Sequence, residues 1–414
     1  STYQPSTGLD AHVHVLASIQ YLMASGWSRF ALRFSEYYQS LSVSDIWAPP
    51  RLRSREWMFI PWGSKPPDRH RALPTKGDLL SYLQTRGPHS CFHSTAYYED
   101  PGQRKMSEKG WLGADLIFDL DGDHLPGVSD NDFPGMMEKI QEQAWSLWND
   151  FLHPEFGFKE EYVQTTFSGH RGFHIHVRDP AYLHLDSNAR RELVNYITGV
   201  GIDVKSVMAG PDIGWSDRID LGFDGVIDSL SSISSSSENS KQLVSELHSS
   251  LKSRNFTCSE ELIRRLADES SKGDRIARLR QDRSRTVFTT PKLNETFWEL
   301  VKGAPLAVGE TDENVTVDVK RVIRWVGSLH GKSGLRVTEF PLERLEPDTS
   351  ISFDALSSTH VFSTQSSIKV ELVSDDVTAR IANQDVSGST GDVFDVHEAM
   401  ATFLSLKGWA RTVE

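Results

Sequence analysis

Cysteine is nearly missing: Cys91 and Cys258 are the two that 414 residues contain, and no CxxC pair occurs. That leaves neither a disulfide framework nor a cysteine-rich zinc site. Long apolar runs are missing as well, none approaching the roughly 18 residues of a membrane span. The early stretch LDAHVHVLASIQYLMASG carries Asp, two His and Gln, which rules it out as the apolar core of a secretory signal. A cytoplasmic protein without membrane contact is the expectation. A basic excess is also lacking. Lys and Arg number 44 against 57 Asp and Glu, a net charge of −13, which excludes a protein that coats nucleic acid through bulk positive charge. An enzyme needing only local cations and local carboxylates stays open; its own hold on a polyanion would be weak, and a partner would supply the remainder.

What is present reads as a mixed α/β chain without internal repeats. Alternating apolar residues predict strands over 54–62, 115–121, 161–168 and 172–177, and helical patterns fall at about 28–40, 76–86, 135–152 and 187–199. Seven serines between Ser231 and Ser240 predict a flexible surface loop over 229–240. A charge-dense helical stretch follows over roughly 241–302. Within it, residues 264–285 hold eight Arg/Lys against four Asp/Glu, fitting either a solvated helix pair or a surface facing template or partner. Val315, Val319, Val322, Ile323 and Val326 fall at helical spacing and predict a helix over 315–326. Strands near 335–340 and 367–373 and a helix near 394–407 close the chain. Strand-rich segments on both sides of a helical middle predict one discontinuous α/β core with mixed sheets, formed by 1–178 and 303–414, with a mostly helical insertion at 179–302.

Two motifs carry chemistry. In ADLIFDLDGDH, side chains alternate faces along a strand. Leu116, Phe118 and Leu120 then face a core while Asp119 and Asp121 face the other way, with Asp123 just beyond. Two neighbouring carboxylates suit hard divalent cations. The same pattern fits the nucleophile loop of haloacid-dehalogenase-type phosphatases, though Asp123 stands where their Thr or Val belongs, and also metal-dependent glycosyltransferases or plain acids at a strand end. The second motif, FSGHRGFHIHV, places Ser168, Gly169 and Gly172 in a turn feeding a strand, with His174 and His176 opposite the apolar face. Small residues with free backbone N–H groups beside His170 and Arg171 suit a phosphate cradle. The two histidines alone would equally fit zinc ligands or surface positions.

KGWLGADLIFDLDGDHL, followed some fifty residues later by FSGHRGFHIHV, resembles the catalytic core of archaeal/eukaryotic-type DNA primase small subunits. SREWMF at 54–59 is similar to that family's Arg-Glu-aromatic strand. FHSTAYYEDP at 92–101 is similar to its tyrosine-rich segment, with His93 in place of the first tyrosine. DENVTVDVKRVIRWVGSLHGKSGL at 312–335 is similar to its distal motif. The resemblance implies Asp119, Asp121 and Asp312 as a catalytic triad binding two Mg²⁺ or Mn²⁺ ions. It implies Ser168, His170, Arg171, His174, Arg324 and His330 as nucleotide contacts, with Arg55 near the same pocket. Asp318 and Lys332 are weaker candidates. The family's frequent zinc knuckle has no cysteine here in HLPGVSDNDFP (124–134), so no structural zinc is expected, and WVGSLHGK lacks the usual proline before His330.

The implied activity is template-directed nucleotidyl transfer from NTP or dNTP on single-stranded DNA, starting primers for replication, with a large subunit as partner and a location at the nucleoid if the source is archaeal. A primer-extending repair polymerase of the same superfamily, a haloacid-dehalogenase-like phosphatase and a non-catalytic scaffold subunit are the competing readings.

Overall fold

The computed structural model describes residues 26–413 except 123–124, 126–127, 204–205, 208–213, 236–238, 283–285 and 304–311. Asp123 therefore lies outside the described residues. The architecture is mixed α/β, built from several small antiparallel sheets and surrounding helices.

Ten strands position the site: β1 (Glu56–Ile60), β2 (Asp68–Ala72), β3 (Ser90–Ser94), β4 (Ala96–Tyr98), β5 (Trp111–Ala114), β6 (Leu116–Asp121), β7 (Val163–Phe167), β8 (Gly172–Val177), β9 (Val322–Arg324) and β10 (Thr338–Phe340). One four-stranded sheet has the order β2-β1-β3-β9 and a second the order β10-β7-β8-β6. Each sheet takes a strand from the distal third of the chain. Phe92 of β3 pairs with Arg324 of β9, and Phe167 of β7 with Thr338 of β10.

The second sheet follows from alternation. Leu116, Phe118 and Leu120 on β6 and Phe173, Ile175 and Val177 on β8 are fully buried. Against this sheet packs helix Phe133–Leu147, which buries Phe133, Met136, Met137 and Ile140. Asp132 starts that helix by accepting the Gly135 N–H, and Pro134 stands in its first turn, where a missing N–H costs nothing. The expected helix over 135–152 ends its α-helical part at Leu147 and passes into a π-turn over Trp148–Leu152.

Helices Trp215–Ser234, Ser240–Ser253, Glu260–Ser270 and Pro291–Gly303 pack on one another through Phe223, Val244, Leu266 and Phe297. The serine run is not a loop throughout 229–240: residues 229–234 are helical, and 236–238 of the expected loop lie outside the described residues. Helix Trp215–Ser234 continues through its first half because Leu230 and Ile233 are buried against these neighbours, and the next helix begins at Ser240. Burial of two apolar side chains outweighs the weak helix propensity of serine.

The helix expected over 315–326 is a second correction. Helix Glu313–Val317 stops after five residues, and Val322–Arg324 forms β9 beside β3. Asp318 accepts the Lys320 N–H in a turn, and the β-branched Val322 and Ile323 favour the extended chain that a partner strand stabilises.

Beyond β10 come β11 (Ile368–Leu372), β12 (Val377–Ile381), β13 (Gln384–Gly388), β14 (Val393–Val396) and β15 (Ala410–Thr412), with helix Glu398–Leu406 between the last two. That helix starts four residues later than expected because 393–396 pairs with β11.

Candidate active site

β6 lies at the edge of its sheet, so one side of its backbone has no partner strand. The segment 312–317 fills that side. The Asp312 N–H donates to the Asp119 carbonyl at 2.9 Å, and Thr316 Oγ1 donates to the Ile117 carbonyl at 2.7 Å. Asp119 and Asp121 thus stand on the solvent-facing side of β6, with side chains 20% and 49% exposed, and the third acid is tied to the same backbone. Burial pushes the Asp119 carboxyl up to about 7, and the charge of Asp312 acts in the same direction. Two acids crowd one place where cationic groups compensate incompletely. A cleft of about 490 Å³ bordered by Ser187, Arg191, Asp318 and Arg321 opens beside Asp312.

The turn between β7 and β8 forms the opposite wall. Ser168 N–H donates to the Gly172 carbonyl, and Gly169 adopts φ +85°, where an added Cβ would come within 2.9 Å of His330 Cβ, so glycine is favoured there. Ser333 Oγ donates to the Gly169 carbonyl, locking this turn onto the loop that follows β9. Arg171 Nε donates to Asp121 Oδ1 at 3.0 Å. His174 Nε2 lies 3.3 Å from Asp119 Oδ1. His170 and His330 stack with centroids 4.8 Å apart.

These three histidines are neutral at pH 7. Burial, followed by the charge of Arg324, holds His174 down at about 3; burial also pushes His170 and His330 far below the ordinary range. Neutral imidazoles offer hydrogen bonds without positive charge. The positive charge comes from Arg171, Arg324 and Lys332. Arg324, on β9, sits over the Phe92 ring at 4.8 Å, and its buried Nη1 has no hydrogen-bond partner. Burial lowers its pKa to about 10, with Asp119 opposing the shift. A buried guanidinium N–H without an acceptor is costly unless a ligand supplies one.

The chain thus brings together Asp119, Asp121, Asp312, Ser168, His170, Arg171, His174, Arg324 and His330. It does not bring Arg55. That side chain is fully buried, with each of its three nitrogens engaged by the Pro50, Ser94 and Thr95 carbonyls or by Asp115. Its role is to hold β1 to the β3–β4 connection and to β6. Two members of the neighbourhood escaped the motif reading. Lys407 reaches His170 at 3.1 Å from beyond the last helix, and His89 feels the charges of Arg324 and Lys332. Neither belongs to a motif; His89 follows a Gly-Pro turn and Lys407 an apolar helix, positions that carry no local signal.

Three acids beside a donor-lined, cationic wall suit an enzyme that handles phosphate groups. The DNA primase small subunit family model matches residues 118–342. The chain is 33% identical to the DNA primase small subunit PriS of Methanosarcina barkeri, covering 91% of this chain and 94% of that protein. It is 33% identical to that of Methanothrix thermoacetophila (91% and 96%) and 35% identical to that of Methanosphaerula palustris (92% and 97%). The chain belongs to the DNA primase small subunit family, the catalytic nucleotidyltransferase subunits of that enzyme. No helix among the described residues is long and apolar enough to cross a membrane.

The family implies divalent-metal catalysis, and the donor chemistry here fits it: oxygen ligands only, with the Asp119 carboxyl raised by burial and then by the charge of Asp312. Among the described residues no three His, Cys, Asp or Glu side chains already converge on one point. Asp121 is turned toward Arg171, and Asp312 Oδ1 accepts the Asn314 N–H at 2.9 Å.

Proposed function

We propose that this chain synthesises short primers on single-stranded DNA by transfer of a nucleotidyl group from NTP or dNTP to a 3′-hydroxyl, with Asp119, Asp121 and Asp312 as metal ligands. One observation carries the reading: the Asp312 backbone on the Asp119 carbonyl, which joins acids from two distant segments in front of an unpaired Arg324 N–H. Two Mg²⁺ or Mn²⁺ ions, when bound, supply the charge that lowers the pKa of the attacking hydroxyl and stabilises departing pyrophosphate.

The chain's own groups do the remainder. Arg324 offers its free N–H to a phosphate oxygen, and Arg171 can exchange Asp121 for a second one bidentately. Neutral His174 and His330 hold phosphate oxygens as hydrogen-bond donors, and Ser168 adds its hydroxyl. Donors aimed at oxygens that gain charge in the transition state act more strongly than the same groups in water. In this reading 1–178 and 303–414 form the catalytic core and 179–302 a mostly helical insertion. A large subunit is the partner that strengthens the grip on template.

The test is metal-dependent incorporation of labelled nucleotide on unprimed single-stranded DNA, with and without a large subunit. Asp121→Asn is expected to lower turnover at least about 10²-fold, the scale of losing a transition-state charge stabiliser. Near-normal primer synthesis by that variant overturns the assignment. Products formed solely on primed template would instead mark a gap-filling polymerase.

A further inference from the structure

The family match ends at residue 342, yet a residue 65 positions further on enters the cradle. Helix Glu398–Leu406 packs beneath the loop after β9. A Cβ at Gly334 would lie 3.1 Å from Thr402 Cγ2 and 3.3 Å from Leu406 Cδ1, and Phe133 meets Phe403 with centroids 4.7 Å apart. Lys407 follows directly. Its side chain runs past the Phe133 and Trp409 rings, at 5.7 and 4.5 Å, and its Nζ stands 3.1 Å from His170 Nε2.

An ammonium group has donors only, so in this contact His170 Nε2 is the acceptor. The ring proton of His170 is then on Nδ1. The stacked His330 is fixed the opposite way: its Nδ1 accepts the Lys332 backbone N–H at 3.1 Å, leaving its proton on Nε2. The two parallel rings therefore each present one donor of fixed identity.

We propose that Lys407 is a positioning residue for the nucleotide triphosphate: it acts through His170, holding that ring in the Nδ1–H tautomer beside the wall made by Arg171, Arg324 and Lys332. The inference rests on the phosphate-cradle reading above and deepens it. It makes the C-terminal helix part of the nucleotide site, not only of the core.

The test is steady-state primer extension, with and without substitution, at varied nucleotide concentration. Lys407→Met is expected to raise KM for nucleotide about 10-fold with kcat changed less than about 3-fold, and Lys407→Arg, which still donates to Nε2, to recover most of that loss. In a His170→Ala background, where the acceptor is gone, Lys407→Met is expected to add less than about 3-fold. The coupling between neighbours that act together then appears as non-additivity. An unchanged KM in Lys407→Met, or full additivity with His170→Ala, overturns the proposal. Asp121→Asn, assayed alongside, separates the two readings, because its loss of turnover does not depend on Lys407.

Discussion

At the scale of single residues, the most deeply buried carboxylate beside the sheets serves the scaffold. Asp115 is fully enclosed, accepting from Arg55 Nη2 at 2.9 Å, Arg178 Nε at 3.0 Å and the Tyr97 hydroxyl. Burial alone would raise its pKa, but Arg55 and Arg178 outweigh it and hold the carboxyl below the usual carboxylate range. The folded state thus releases this proton more readily than the unfolded chain, whose value is about 3.9. Its contribution to stability is complete above that value and is lost as pH falls through the depressed folded pKa. Asp115→Asn leaves the buried Arg55 and the partly buried Arg178 without their counter-charge and is expected to cost about 3–5 kcal/mol at pH 7, read from urea midpoints at unchanged slope. Repeating the measurement near pH 3 should shrink the gap between the two proteins, and a gap independent of pH would show that Asp115 is not the titrating partner.

At the scale of elements, the segment 312–317 substitutes for the strand that β6 lacks. Thr316→Val removes its bond to the Ile117 carbonyl and is expected to cost about 1 kcal/mol of stability. The variant's kcat should fall while KM for nucleotide changes little, because the loosened group is an acid and not a phosphate contact; a rise in KM alone would contradict this. The elements around the site were largely legible. β6 and β8 alternate cleanly, and the turn glycines and Asp-x-Asp pattern mark which faces carry function. The failures have a common cause. Residues 315–326 show a helical period, and β9 exists because β3 offers an edge, a tertiary fact absent from local spacing. Helix Trp215–Ser234 runs through the serines for the same kind of reason, with Leu230 and Ile233 covered by other helices. Arg55 sat in a family-like segment, but its burial is decided by Asp115, sixty residues away. Lys407 was invisible because nothing nearby distinguishes it from a helix-terminal lysine.

At the scale of the molecule, the charge balance sets how the enzyme meets its template. With a net charge of −13, the chain alone is expected to bind single-stranded DNA no more tightly than ordinary non-specific binding, about 10⁻⁴–10⁻⁶ M at physiological salt. Fluorescence anisotropy with a labelled oligonucleotide would measure this. Addition of a large subunit should tighten the complex, and nanomolar binding by the isolated chain would contradict the division of labour proposed here.

The bond between Thr316 and Ile117 spans 199 residues of sequence. A ribosome that has delivered the Asp-x-Asp strand and the phosphate turn has therefore not yet delivered an enzyme. In the proposed reading the site is complete only once the distal segment closes against the sheet edge, because Asp312, Arg324 and His330 all lie in that late part of the chain.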